Sequence, residues 1–193
     1  SDDAYKQLNN LVKTIKDAIN EVRNIAMDLR PAMLDDLGAV ATLRWFCREF
    51  ENTYKKIKVN LTLSADETDL SELQKVVIFR IVQEAMNNVV KHGNATKIDI
   101  ELSKSSSEMR LCIRDNGCGF TFIDSLANTN TNKANKTKQP RCCFGLNSMR
   151  ERAESTNGKF VIDSSPGSGT AVIVSWNDEN TLSFDEENND KDQ

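Results

Sequence analysis

The sequence predicts an α+β protein: helices and short strands, preceded by a long bundle-type helix. Three observations lead there. Residues 2–30 carry apolar side chains in helical columns, and residues 71–92 repeat a helical pattern without a break. Short stretches that alternate apolar and polar side chains, the mark of half-buried strands, lie between and after the helices.

The first helix rests on Leu8, Leu11, Ile15, Ala18, Val22, Ile25 and Leu29, whose spacings alternate between three and four. Val12, Ile19 and Ala26 add a further column at seven-residue intervals. Two columns suit a simple coiled coil; three suit a helix packed in a bundle. Such a helix cannot bury its stripe alone, so it calls for other helices of its own chain or a second copy. Packing on the remainder of the same domain is the plainer alternative. Pro31 ends the helix, because the residue before a proline is pushed out of the α region.

A second helix is expected over roughly 35–55, with Leu37, Val40, Leu43, Phe46, Phe50 and Tyr54 at helical spacing. Ile57 to Leu63 alternates as a strand. Asp69 or Ser71 then caps a helix over about 71–92, closed by Gly93. Ile98, Ile100 and Leu102 form one strand, and Met109, Leu111 and Ile113 another that runs into Asp115. Residues 121–144 are rich in Asn, Thr and Lys and long for a connector, which suggests a functional lid. A short helix over about 146–156 follows. Strands over 159–164 and 169–175 flank Ser165-Pro166-Gly167-Ser168-Gly169 as a hairpin. Residues 177–193 hold seven acids and one lysine and read as a disordered tail. There are no internal repeats.

Composition narrows the function. A net charge of −4 argues against a general nucleic-acid binder. No apolar run approaches the ~20 residues that span a bilayer, and no signal peptide is visible. Direct membrane contact is therefore not expected. The five cysteines are odd in number and lack C-x-x-C spacing, so a disulfide framework or zinc site is disfavoured and a reducing cytoplasm is the simpler setting. Adjacent Cys142 and Cys143 could be a redox-active pair; the plainer reading is two reduced thiols in a loop. The chain opens on Ser1 and enters a helical pattern almost at once, as a piece of something longer would.

Four motifs carry chemistry. At about 100° per residue, Glu84, Asn88, Lys91 and His92 share one face of their helix, opposite Ile78, Ile81, Val82, Ala85 and Val89. Magnesium takes only one or two protein oxygens when phosphate supplies the rest. The Asn88 amide oxygen suits that role, and Glu84, one turn earlier, can hold a metal-bound water. Lys91 and His92 can meet phosphate oxygens. Taken alone, the stripe is equally a solvated helix face. Asp115, at a strand end, can accept from an exocyclic amino group such as adenine's, and Gly117 and Gly119 let the backbone approach a flat base. Alone, Asp115-Asn116-Gly117 is an ordinary turn. In Phe144-Gly145-Leu146-Asn147-Ser148-Met149, a glycine before a helix start exposes N–H groups suited to polyphosphate, and Met149 can lie against the base. In Gly167-Ser168-Gly169-Thr170, the threonine hydroxyl can reach the base. Each motif is weak singly; together, in this order, they describe a pocket for a nucleotide and its magnesium.

With these motifs in place, the sequence resembles the ATP-binding catalytic portion of a bacterial-type sensor histidine kinase, within the GHKL ATPase superfamily. Glu84–His92 is similar to its N box, Asp115–Gly119 to the G1 box, Gly145 and its helix to the G2 region, and Gly169-Thr170 to the final strand signature. Asp28-Leu29-Arg30-Pro31-Ala32-Met33-Leu34-Asp35-Asp36-Leu37-Gly38 resembles the junction of the nitrate-sensor and lipid-fluidity-sensor subgroup, between the second dimerisation helix and the ATP-binding domain.

The resemblance implies a two-layer α/β sandwich: a mixed, mostly antiparallel sheet with helices on one face. It implies the second helix of a dimerisation hairpin at 1–31, a junction with the first catalytic-domain helix at 32–55, and the ATP-binding domain at 56–176 with its lid at 121–144. Asn88 and Glu84 would serve the magnesium ion and catalysis, Asp115 would read adenine, and Lys91 and His92 would contact phosphates. Gly117, Gly119, Phe144, Gly145, Leu146, Met149, Gly169 and Thr170 would complete the ATP site. Ser148 stands where a second glycine is common, which would stiffen the lid. The phosphoacceptor histidine of such kinases would lie upstream of residue 1, and His92 cannot replace it. Implied partners are ATP or ADP with Mg²⁺, a second kinase subunit in the intact parent, and a response regulator receiver domain. Two alternatives stay open: an anti-sigma factor of the serine-kinase type on the same ATP fold, and a nucleotide-free dimerisation scaffold.

Overall fold

The computed structural model describes residues 32–121 and 143–177, together with Gln7, Leu11, Val12, Thr14 and Ile15. Those five early residues are helical and exposed. The rest of the helix expected over 2–30, most of the lid and most of the acidic tail lie outside the described residues. The chain divides into two compact units, Ser1–Gly38 and Ala39–Gln193.

Helix α1 covers Ala32–Thr53, with a break at Gly38, whose φ of 81° only a glycine adopts readily. The pattern expected one helix from about 35; the structure starts afresh after the glycine. The new start is capped from a distance. The Glu67 carboxylate accepts from the N–H groups of Ala39 and Val40, both at 3.0 Å. Lys75 holds the same carboxylate at 3.0 Å. Helix ends leave N–H groups unpaired, and an anion there also meets the positive end of the helix dipole.

Helix α2, Glu72–Asn88, starts at Ser71 with a reciprocal capping box to Gln74. Of the two expected caps, Ser71 is the one used. The α-helix ends earlier than its pattern suggests: Val89–Gly93 forms a π turn, and Asn94 (φ 49°) adopts a left-handed conformation. A π turn holds more residues per turn than an α-helix. The one-face arithmetic applied to Lys91 and His92 therefore does not carry through the helix end.

Strands β1 (Lys58–Leu63), β2 (Lys97–Lys104), β3 (Glu108–Asp115), β4 (Lys159–Ser164) and β5 (Thr170–Asn177) form one sheet in the order β1-β2-β3-β5-β4. β1 and β2 are parallel, and the other neighbours are antiparallel. Helix α3, Cys143–Glu154, lies between β3 and β4 in the chain.

One face of the sheet is apolar. Ile98, Ile100 and Leu102 of β2, Leu111 and Ile113 of β3, and Val172 and Val174 of β5 are buried. So are Ile78, Ile81, Val82 and Met86 of α2, and Met149 and Ala153 of α3. Phe46 of α1 meets Phe79 edge-on, ring centroids 5.4 Å apart. Glu101, Arg110 and Arg114 alternate onto the other face and are exposed. Burying such side chains stabilises by roughly 1.5–3 kcal/mol each, which binds helices to sheet. The expected two-layer sandwich, mostly antiparallel with helices on one face, is the architecture found.

Candidate nucleotide site

The C-terminal ends of α2 and β3, the start of β5 and the start of α3 enclose a cavity of about 210 Å³. Its position follows from how the turn after β3 is tied down. The Asn116 side chain accepts from Thr96 N and Lys97 N, both at 2.9 Å, and donates to Thr96 Oγ1. Cys118 N donates to Gly93 O at the helix end, and Gly167 N of the hairpin donates to Cys118 O, each at 2.7 Å. One short loop is thus fastened to α2 on one side and to the β4–β5 hairpin on the other.

Three glycines make this closeness feasible. A Cβ on Gly117 would collide with Gly93 O, and one on Gly119 (φ 56°) with Ser165 O. A Cβ on Gly169 (φ 74°) would collide with Asp115 O. In each case the obstacle is backbone, which cannot swing away.

Asp115 lines the cavity, half-buried at the end of β3. Its Oδ1 accepts from Gly117 N at 2.7 Å. Burial raises its pKa, opposed by hydrogen bonds from the Gly117 and Thr170 backbone N–H groups. A half-buried carboxylate held this way has a reason to seek another donor. Thr170 faces it across the β3–β5 ladder and also lines the cavity.

Asn88, His92, Gly119, Leu146 and Met149 join Asp115 and Thr170 around the same space. Leu146 and Met149 are buried in its wall. Gly145 sits where a Cβ would run into the Glu84 carboxylate, with the Asn88 amide nitrogen at 3.5 Å. The first turn of α3 therefore lies over both polar residues of α2. Gly117 and Gly169 shape the walls rather than line the cavity. Lys91 is exposed and does not line it. The side chain of Phe144 lies outside the described residues.

Sequence reasoning did not single out several wall residues. Ile113 and Val172 lie two residues from Asp115 and Thr170, and strand alternation places such pairs on one face, so that signal was present. The helix pattern sets Ala85 and Val89 on the core-facing side. They are buried and yet also line the cavity, because the cavity is cut into the core. Cys118 and Phe120 line it from a loop, where no periodicity could have marked them.

A metal held by protein alone is not built here: among the described residues, no three His, Cys, Asp or Glu side chains cluster to hold one. One carboxylate and one amide, a helical turn apart, fit a hard cation that brings its phosphate and water ligands with it. Glu84 and Asn88 supply that pair.

Residues 74–180 match the family described as histidine kinase-, DNA gyrase B-, and HSP90-like ATPase. The chain is 32% identical over 174 residues to the signal transduction histidine-protein kinase/phosphatase DegS of Brevibacillus brevis, covering 90% of this chain and 41% of that protein. It is 32% identical over 175 residues to the sensor histidine kinase MctS of Rhizobium johnstonii, covering 90% of this chain and 35% of that one. It thus spans less than half the length of either relative. Among solved structures, the histidine kinase domain of the Erythrobacter litoralis EL346 blue-light activated histidine kinase matches with a TM-score of 0.52. That match has 16% identity and covers 71% of this chain and 59% of the other, a likeness of fold alone.

Proposed function

The chain belongs to the histidine kinase-, DNA gyrase B-, and HSP90-like ATPase family, with its ATP-binding domain, and from that premise we propose that it is the phosphate-donating domain of a two-component sensor histidine kinase. ATP with magnesium is its substrate. The acceptor is a histidine outside these 193 residues, on a dimerisation helix of the parent kinase, from which a response regulator aspartate takes the phosphate. The subgroup is that of its relatives, one named a signal transduction histidine-protein kinase/phosphatase and the other a sensor histidine kinase.

The observation that carries this reading is the cavity, whose lining includes both Asp115 and Asn88. Asp115 accepts from the adenine amino group. Ile113, Leu146, Met149 and Val172 supply apolar walls for the ring. Asn88 and Glu84 lie toward the phosphates, where magnesium would be held. When bound, that ion neutralises charge on the β- and γ-phosphates. His92 serves the phosphates from the cavity rim.

Transfer itself asks little covalent chemistry of the protein. The lone pair of the incoming imidazole nitrogen forms the N–P bond. The bond between the γ-phosphorus and the bridging oxygen breaks, and ADP leaves with that electron pair. Glu84 orients the attacking side, and Gly145 lets the first turn of α3 approach.

The test uses labelled ATP and magnesium. Calorimetry should show ADP binding to this chain, and no stable label should remain on it. Label should pass to a separate helical hairpin carrying the acceptor histidine. Stable label on His92 would sink the assignment of roles.

A further inference from the structure

Ser164 was not marked by any motif, yet its hydroxyl makes three polar contacts beside the cavity. It is the last residue of β4, in register with Thr170 of β5, which is in register with Asp115 of β3. The three form one row across the sheet at the base end of the cavity. Ser164 Oγ donates to Gly169 O at 3.0 Å and accepts from Phe120 N at 3.0 Å. It also lies 3.1 Å from Thr170 Oγ1.

A serine hydroxyl has one proton and two lone pairs. The proton goes to Gly169 O, and one lone pair takes the Phe120 N–H. The contact with Thr170 must then run the other way: Thr170 donates, and Ser164 accepts with its second lone pair. This spends the only hydroxyl proton of Thr170. What Thr170 has left for the cavity is lone pairs. Asp115, when ionised, also offers only acceptors.

We propose that Ser164 is a positioning residue that sets purine selectivity, by fixing the Thr170 hydroxyl so that the base end of the cavity presents acceptors only. A 6-amino purine, which brings N–H donors, is matched. A 6-oxo purine brings an acceptor to that position and, although its N1–H is a donor, is refused at position 6. Without Ser164, the Thr170 hydroxyl rotates and can donate to a 6-oxo group. The inference rests on reading the cavity as an ATP site.

The experiment measures Kd for ADP and for inosine diphosphate, with magnesium, on the whole chain. Wild type should prefer ADP. Ser164→Ala should lower that preference roughly tenfold, the size expected when one oriented hydrogen bond is lost. Ser164→Thr, which keeps the hydroxyl, should restore it. Because Ser164 acts through Thr170, Ser164→Ala should change nothing further in a Thr170→Val background. A merely structural role would lower affinity in both backgrounds alike. A preference in Ser164→Ala within twofold of wild type, or an undiminished effect in the Thr170→Val background, overturns the proposal. ADP binding without preference over inosine diphosphate overturns it while the ATP site stands. Absence of ADP binding by wild type overturns both. Thermal melts of each variant guard against misfolding, and Ser164→Cys, whose thiol is a poor donor and acceptor, should lower the preference likewise and carries the test if Ser164→Ala fails to fold.

Discussion

Gly145, in the first turn of α3, rests against the carboxylate of Glu84 on α2, leaving no room for a side chain. The obstacle is the far end of a flexible side chain, with Glu84 Cδ at 3.2 Å from where a Cβ would stand. Gly145→Ala should therefore fold normally and push the Glu84 carboxylate aside. Nucleotide affinity should change less than threefold, while phosphoryl transfer to the acceptor hairpin should fall about a hundredfold, as when a positioned group is misplaced. Single-turnover assays beside calorimetry separate the two. Equal losses in both would show that the contact serves binding instead.

The glycines of the loop should behave in the opposite way. Alanine at Gly169 meets Asp115 backbone and a φ of 74°, and alanine at Gly117 meets Gly93 backbone. Neither obstacle can rotate away. Each substitution should cost about 2–4 kcal/mol, read from urea melts. Losses below about 0.5 kcal/mol would mean that the loop re-forms easily.

Asp115 should trade stability for binding. Burial, opposed by the Gly117 and Thr170 N–H groups, leaves its folded pKa above the ordinary 3.8. A group with a raised folded pKa contributes stability below its unfolded pKa, and that contribution is lost as pH rises through the folded value. At neutral pH the ionised carboxylate is thus a burden on the empty domain. Asp115→Asn should raise the melting temperature of the nucleotide-free protein at pH 7 and flatten its pH dependence between pH 4 and 7. ADP affinity should fall at least tenfold. A lower melting temperature at pH 7 would contradict this.

Glu67 has the reverse sign. Burial alone would raise its pKa. The N–H groups of Val40 and Ala39, and then Lys75, outweigh burial and lower it below 4.5. Its contribution to stability is present above the unfolded value and is lost as pH falls through the folded one. Glu67→Ala should cost about 1 kcal/mol at pH 7, the worth of a helix cap. The difference from wild type should shrink on acidification below pH 4. Equal differences at pH 7 and pH 3 would rule the cap out.

Thiol labelling offers a check on the site. Burial, aided by the charge of Glu51, pushes Cys47 up to about 12. Cys118 is exposed and lines the cavity. At pH 8, iodoacetamide should modify Cys118 within minutes and leave Cys47 intact in peptide mass spectra. ADP with magnesium should slow the Cys118 reaction several-fold. Unchanged labelling with ADP bound would place the nucleotide away from this wall.

The elements themselves were legible because their signals are local. The Ser71–Gln74 capping box, the alternation of Ile98, Ile100 and Leu102, and the Gly-rich hairpin turn each follow from residues a few positions apart. The motifs around Asn88, Asp115 and Thr170 were legible for the same reason, and one cavity gathers them. What the tertiary structure decided is long-range. It set β5 between β3 and β4, made β1 parallel to β2, and put Glu67 on the start of the helix at Ala39. It also turned the helix end at Val89–Gly93 into a π turn, which left Lys91 outside the cavity while His92 lines it. Periodicity tells which face of a strand is buried, but not which strand lies beside it. The row Ser164–Thr170–Asp115 exists only through two registers of pairing, which bring a hydroxyl unremarkable in sequence to 3.1 Å from the Thr170 hydroxyl.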